Sequence, residues 1–139
     1  MTTANHMSIV VVEDNPDDVF LIKEALSAEC LDVDLRVLEN GEEAIRMISD
    51  LNQDVHQPCP SLMLLDVNLP RADGFEVLRR LRESKRCACI PVIVMTSSAA
   101  LADREKSGRL GACAYFEKPS QYEEFLEIGK IVKRHLSGS

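Results

Sequence analysis

Apolar residues gather into five short runs along the chain: residues 8–13 (SIVVVE), 33–39 (VDLRVLE), 61–66 (SLMLLD), 91–96 (PVIVMT) and 112–116 (ACAYF). Each has the length and the β-branched or long aliphatic content of a strand, and the triplets VVV and VIV, apolar at every position, fit strands covered on both faces. Between the runs the spacing becomes helical. Asn15-Pro16 supplies a capping residue followed by proline at the first helical position, and Val19, Ile22 and Leu26 then share one face. Asn40 with Glu43, Asp73 with Glu76, and Ser120 with Glu123 each set a capping oxygen three residues before a glutamate, which marks three further helix starts. The last helix is predicted to run to about His135 with Phe125, Ile128 and Val132 facing inward.

Five strands alternating with five helices predict an α/β fold, a doubly wound parallel sheet with helices on both sides. A chain of 139 residues suits a single domain. The expected core covers about 8–136 with short frayed ends, and no output domain is expected beside it. The stretch SDLNQDVHQPCP reads as a polar loop before the third strand, and RESKRCACIP as the end of a helix before the fourth.

Charge narrows the partners. Lys and Arg number 16 against 23 Asp and Glu, a net charge of -7, so the long-range field has the wrong sign for nucleic acid or an anionic membrane. No apolar run approaches the roughly 20 residues that span a bilayer. The start MTTANHM has no signal-peptide pattern, so a soluble, cytoplasmic protein is expected. The cysteines (Cys30, Cys59, Cys87, Cys89, Cys113) and histidines (His6, His56, His135) are too dispersed for a zinc site. The cysteines are expected to be reduced, as that compartment implies.

The candidate chemistry sits where the strands end, because open parallel sheets bind ligands beyond the carboxyl ends of their strands. The first run ends in Glu13-Asp14, the third in Asp66, the fourth in Thr96-Ser97-Ser98, and the fifth leads into Lys118-Pro119. Crowded carboxylates repel one another and resist losing their water, so they need a cation or a proton. Hard oxygen ligands suit Mg2+, which keeps several of its waters. Glu13 and Asp14 are candidates to hold the ion or its waters, with Asp66 as a further ligand. Asp66 is also a candidate nucleophile, since an aspartate can form an acyl phosphate. The metal and Lys118 would draw charge from the incoming phosphoryl oxygens, and Thr96 has a hydroxyl to offer the product. Singly, each residue has a plainer reading: helix-dipole partners for Glu13 and Asp14, a turn residue for Asp66, a surface lysine, helix caps for Thr96 and Ser98.

Taken together and in order, VVVEDNPDD, LMLLDVNLPRADGFEVL, PVIVMTSS and AYFEKP resemble the receiver domain of two-component response regulators over nearly the whole chain. The resemblance implies a flavodoxin-like five-stranded sheet of order 2-1-3-4-5. It implies that Asp66 takes a phosphoryl group from a sensor histidine kinase, that Glu13 and Asp14 are the magnesium pair, and that the backbone carbonyl of Asn68 is a further ligand. Lys118 then pairs with the phosphate, Thr96 moves toward it, and Tyr115 follows as the switch aromatic. The Lys118-Pro119 bond is expected to be cis. Asn68 and Ser98 stand where the family tunes hydrolysis of the phosphoryl group. The stretches EDNPDDVFLIKEAL and AYFEKPSQYEEFLEIGKIV are similar to single-domain regulators that partner phytochrome-type and hybrid kinases. Ala99-Ala100-Leu101 departs from the more acidic helix start of many such relatives.

On this resemblance the chain turns over only its own phosphoryl group and signals by contact with a downstream protein. A homodimer through the fourth helix, fifth strand and fifth helix is a further expectation. Other readings compete. A magnesium phosphohydrolase of the haloacid-dehalogenase type has an acid two residues after its nucleophile, where this chain has Asn68. Flavin binding is disfavoured by the absence of Trp and an aromatic content of 4%. A pseudo-receiver that binds protein without phosphorylation would be expected to lack one of the acids, and all are present. Relay of the phosphoryl group to a histidine phosphotransfer protein stays open.

Overall fold

The computed structural model describes residues 7–69 and 73–136. Five strands, β1 (Met7–Val12), β2 (Val33–Leu38), β3 (Leu62–Leu65), β4 (Val92–Thr96) and β5 (Ala114–Glu117), form one parallel sheet of order β2-β1-β3-β4-β5. The helices between them are α1 (Pro16–Ala28), α2 (Gly41–Gln53), α3 (Gly74–Arg82) and α4 (Leu101–Arg109). The expected fifth helix is split at Leu126 into one turn, α5 (Tyr122–Phe125), and α6 (Glu127–Leu136). Among the described residues no helix is long and apolar enough to cross a membrane.

The uninterrupted apolar runs follow from burial on both faces. Ile9 and Val11 of β1, Leu62 and Leu64 of β3, and Ile93 and Met95 of β4 pack with Ile22, Ala25 and Leu26 of α1 and with Phe125, Ile128 and Val132. The alternate residues Val10, Val12, Met63, Leu65, Val92 and Val94 pack on the other face with Met47, Ile48 and Leu51 of α2 and Val77, Leu78 and Leu81 of α3. Strand side chains alternate, so a run covered on both sides has no position left for a polar residue. The inward residues expected of the last helix, Phe125, Ile128 and Val132, are all buried.

The helix starts expected at Asn15, Asn40 and Asp73 are capped as anticipated, and the fourth is not. Asn15 Oδ1 accepts from the Asp17 amide at 2.9 Å, Asn40 Oδ1 from the Glu43 amide at 2.9 Å, and Asp73 Oδ1 from the Phe75 amide at 2.8 Å. Glu43 reaches back in return, accepting from the Glu39 amide and the Asn40 side chain. Glu76 does not, because Arg79 and Arg80 on the next turn take its carboxylate. Ser120 caps nothing: Gln121, with an extended backbone, holds the cap position of α5 without a side-chain hydrogen bond.

Two thiols expected to be reduced are joined. Cys59, in the loop before β3, and Cys87, in the loop after α3, form a disulfide with their Cα atoms 5.7 Å apart. They are 28 residues apart in sequence, so only the folding of both loops onto the same end of the sheet brings them together. Cys30, Cys89 and Cys113 are free and exposed.

Candidate functional site

The carboxyl ends of four neighbouring strands, β1, β3, β4 and β5, meet on one rim, and the backbone holds them there. The β1–β2 ladder extends one residue past the strands, with the Glu13 amide donating to the Leu38 carbonyl at 2.9 Å. The Asp66 amide donates to the Val12 carbonyl at 3.1 Å, which sets Asp66 beside the Glu13 position. On the far side of β4 the Lys118 amide donates to the Thr96 carbonyl at 2.8 Å. Each of these residues is therefore fixed by main-chain bonds before its side chain does anything.

The side chains converge. The Lys118 ammonium donates to Glu13 Oε1 at 2.7 Å, to Asp18 Oδ2 at 2.8 Å and to Asp66 Oδ2 at 3.0 Å. Glu13 and Asp66 are buried, and the Lys118 side chain is only 9% exposed. Glu13 Oε2 also accepts from the Asn15 amide, and Asp66 Oδ1 from the Asn68 amide at 2.9 Å. Asp14 remains exposed, yet Glu13, Asp14 and Asp66 each bring one carboxylate oxygen within 4.8 Å of the others.

Burial dominates the electrostatics of Glu13 and pushes its carboxyl up to about 7 against the pull of Lys118. Lys118 is held above the usual lysine range: burial opposes its charge, but the hydrogen bonds to Asp18, Glu13 and Asp66 outweigh it. The result is one ammonium shared among several carboxylates, an arrangement that still carries excess negative charge. Hard oxygens in that number and proximity fit a small divalent cation such as Mg2+.

The hydroxyl side of the rim is linked to the acids by Asn68. Its side-chain amide donates to Thr96 Oγ1 at 3.0 Å, while its backbone amide serves Asp66. Thr96 is fully buried. Tyr115 does not bond Thr96 directly; its hydroxyl donates to the Ser98 carbonyl at 2.8 Å, and the Arg104 guanidinium lies 4.5 Å from its ring centre. Ser98 Oγ donates to Asp103 Oδ2 at 2.7 Å and accepts from the Ala100 amide, so this hydroxyl ties down the start of α4. Glu13, Asp14, Asp66, Asn68, Thr96 and Lys118 thus lie at the carboxyl end of the sheet, and Tyr115, opposite Val94 within β5, reaches that end through its hydroxyl.

Two findings depart from expectation. Among the described residues no peptide bond is cis, so Lys118-Pro119 is trans, the isomer favoured by roughly 0.5–1 kcal/mol before proline, and the lysine reaches all three carboxylates from it. Asp18, which is not among the residues expected at the strand ends, is a full partner of Lys118. It lies on α1 rather than on a strand, and the available signal was the Asp17-Asp18 pair in the helix's first turn.

The chain is similar to known proteins in sequence and in fold. The response regulator receiver domain family matches residues 9–130. Response regulator Rcp1 of Synechocystis sp. is 32% identical over 86% of this chain and 82% of its own length. Transcriptional regulatory protein GltR of Pseudomonas aeruginosa is 36% identical over 95% of this chain, which spans about half of that protein, 51%. The crystal structure of the phosphorylated cyanobacterial phytochrome response regulator RcpA superposes with a TM-score of 0.84 at 30% identity, covering 96% of this chain and 95% of that one. The Mn2+-bound form of Rcp1 gives the same TM-score and identity, covering 96% of each chain.

Proposed function

Because the chain belongs to the response regulator receiver domain family of two-component signalling, we propose that it is a cytoplasmic phosphoacceptor switch: Asp66 takes a phosphoryl group from a sensor histidine kinase in a Mg2+-dependent reaction, and the product is read by protein contact. The observation that carries this reading is the single ammonium of Lys118 spanning Glu13 and Asp66, with Asp14 close enough to complete a three-carboxylate group.

The chemistry follows from those side chains. An oxygen of the Asp66 carboxylate attacks the phosphorus of a phosphohistidine; the new O–P bond replaces the P–N bond, whose electron pair leaves with the imidazole nitrogen. The Asn68 amide, already on Asp66 Oδ1, orients the carboxylate for that attack. Lys118 offers its charge to the phosphoryl oxygens as the anions meet. Glu13, Asp14, Asp66 and the Asn68 carbonyl are the residues that would hold Mg2+, which when bound neutralises phosphoryl charge. A phosphate of charge near -2 then draws on the Thr96 hydroxyl, and any movement of Thr96 disturbs Asn68, which bonds it. Tyr115 is coupled through Ser98, and its ring, under Arg104, carries the change to α4 and β5.

The partner kinase on this reading is of the phytochrome type or a hybrid sensor, in keeping with the phytochrome response regulator RcpA among its structural relatives. Phosphorylation also favours a dimer through α4, β5 and the α5–α6 segment. Sedimentation velocity is expected to show a shift from monomer to dimer on adding beryllofluoride and Mg2+; a monomer in both states removes the dimer.

Intact mass after incubation with acetyl phosphate tests the acceptor. A gain of one phosphoryl group is expected with Mg2+, none in chelator, and none in Asp66→Asn. If the native protein gains no mass and releases no inorganic phosphate, the phosphoacceptor reading fails and a protein-binding pseudo-receiver takes its place.

A further inference from the structure

Lys118 also meets a carboxylate that comes from a helix and not from a strand end. Asp18, in the first turn of α1, accepts from Lys118 at 2.8 Å, a shorter contact than the 3.0 Å to Asp66. Its side chain is 18% exposed, so the pair is largely withdrawn from solvent. Asp18 does not belong to the group of carboxylates close enough to share a metal ion, which comprises Glu13, Asp14 and Asp66. Lys118 therefore has three anionic partners, of which two, Glu13 and Asp66, are also wanted by the cation.

We propose that Asp18 is a positioning residue for Lys118: it is the carboxylate that keeps the ammonium at the rim when Glu13 and Asp66 turn their charge to a divalent cation. A dication and an ammonium drawing on the same two carboxylates repel each other, and in a partly buried site that repulsion is weakly screened. With only Glu13 and Asp66 as partners, Lys118 would be expelled as the cation enters, just when its charge is needed for the phosphoryl oxygens. Asp18 supplies a third anion reserved for the lysine. Its backbone is held by α1, whose start is fixed by the Asn15 cap and Pro16, so the carboxylate stays in place when the strand-end acids rearrange. The inference rests on the reading of Lys118 as the phosphoryl partner.

Asp18→Asn and Asp18→Glu, compared with the native chain, test it by two readouts. The first needs no phosphorylation: the 15N–1H signal of the Lys118 ammonium, assigned by its loss in Lys118→Met, reports whether the group is held or exchanging with water. In chelator the signal is expected in the native chain and in both variants, because Glu13 and Asp66 suffice. With saturating Mg2+ it is expected to persist in the native chain and in Asp18→Glu and to vanish in Asp18→Asn. The second is the rate of acetyl phosphate-driven mass gain at saturating Mg2+, expected to fall about tenfold in Asp18→Asn, the order of one charge-assisted hydrogen bond, and to recover in Asp18→Glu. A Mg2+-loaded Asp18→Asn protein that keeps both its ammonium signal and its rate overturns the proposal. A faster rate also overturns it, since Asp18 would then be competing with the phosphoryl group for the lysine. If the native chain is not phosphorylated at all, the proposed function fails, and the ammonium signal alone still decides whether Asp18 holds Lys118 against the cation.

Discussion

Lys118→Met is expected to lower the unfolding free energy of the metal-free protein by about 3–5 kcal/mol at pH 8, the cost of leaving buried anions without their cation. Methionine preserves most of the aliphatic stem, so the loss reports charge rather than volume. Glu13 and Asp66 are buried, and both bond the ammonium directly. The deficit carries a pH signature whose sign comes from Glu13. Its folded carboxyl is raised to about 7 from 4.5, chiefly by burial, so its contribution to stability is complete below about pH 4.5 and is lost as the pH rises through about 7. In the native metal-free chain that slope amounts to at most about 3 kcal/mol. Removing Lys118 takes away a partner that lowers the Glu13 value, so the slope extends to higher pH and the deficit shrinks toward pH 5. Mg2+ is expected to narrow it at pH 8 by supplying the missing positive charge. Urea unfolding at pH 5 and pH 8, in chelator and in Mg2+, checks both; a deficit indifferent to pH and to Mg2+ would assign the role of Lys118 to packing alone.

Gly74→Ala should damage stability and chemistry together. Gly74 opens α3 so close to the end of β3 that a Cβ there falls 2.5 Å from the Asp66 carbonyl oxygen and 2.5 Å from Val67 Cα. Both obstacles are backbone, so the helix must lift or the phosphoacceptor's own main chain must shift. Overpacking of this kind costs about 1–3 kcal/mol, and Gly74→Ala is placed at the upper end because neither obstacle is a flexible side chain. A displacement of Asp66 near 1 Å slows a positioned reaction by about 100-fold, so the acetyl phosphate reaction is expected to fall even in the folded fraction. Gly108, inside α4, is the control: a Cβ there meets nothing within 4 Å, so Gly108→Ala is expected to add about 0.5–1 kcal/mol. Thermal unfolding of both variants and the phosphorylation rate of each separate the two cases. A Gly74→Ala protein as stable and as fast as the native chain would show that α3 can lift without moving Asp66.

Much of this fold was legible because its signals are local or periodic. The uninterrupted VVV and VIV runs announce strands covered twice, and Val10 and Val11 indeed pack on opposite faces. Asn40 with Glu43 announces a helix start because both partners lie within one turn. Ser120 with Glu123 misleads for the same reason in reverse: the pattern is present, but the helix begins later, with Gln121 at its cap position. The stretch NLPRADG, whose residue types suit the turn that the plainer reading of Asp66 requires, includes residues 70–72, which lie outside the described residues, as do the chain ends expected to fray.

The strand ends named the acids, the hydroxyl and the lysine, since a parallel sheet brings its carboxyl ends to one rim whatever the details of packing. Asp18 carries no such signal, because its contact with Lys118 depends on how α1 packs on the sheet, and no sequence period records that. The Cys59–Cys87 bond escaped for a similar reason, as it joins two loops whose meeting depends on β1, β3 and β4 lying in order. Tyr115 was assigned to the switch by resemblance, but that its hydroxyl bonds Ser98 rather than Thr96 is a matter of side-chain placement.

By itself, then, the sequence determined the alternation of strands and helices and the list of chemically able residues, because backbone propensity, hydrophobic period and strand termination act over a few residues each. Only the tertiary structure decided how one ammonium is divided among Glu13, Asp18 and Asp66, which hydroxyl Asn68 holds, and how near α3 comes to Asp66. Those are contacts between segments as far as 105 residues apart, and hydrogen bonds and charge pairing depend on distances set only when the sheet and its two helical layers pack against one another.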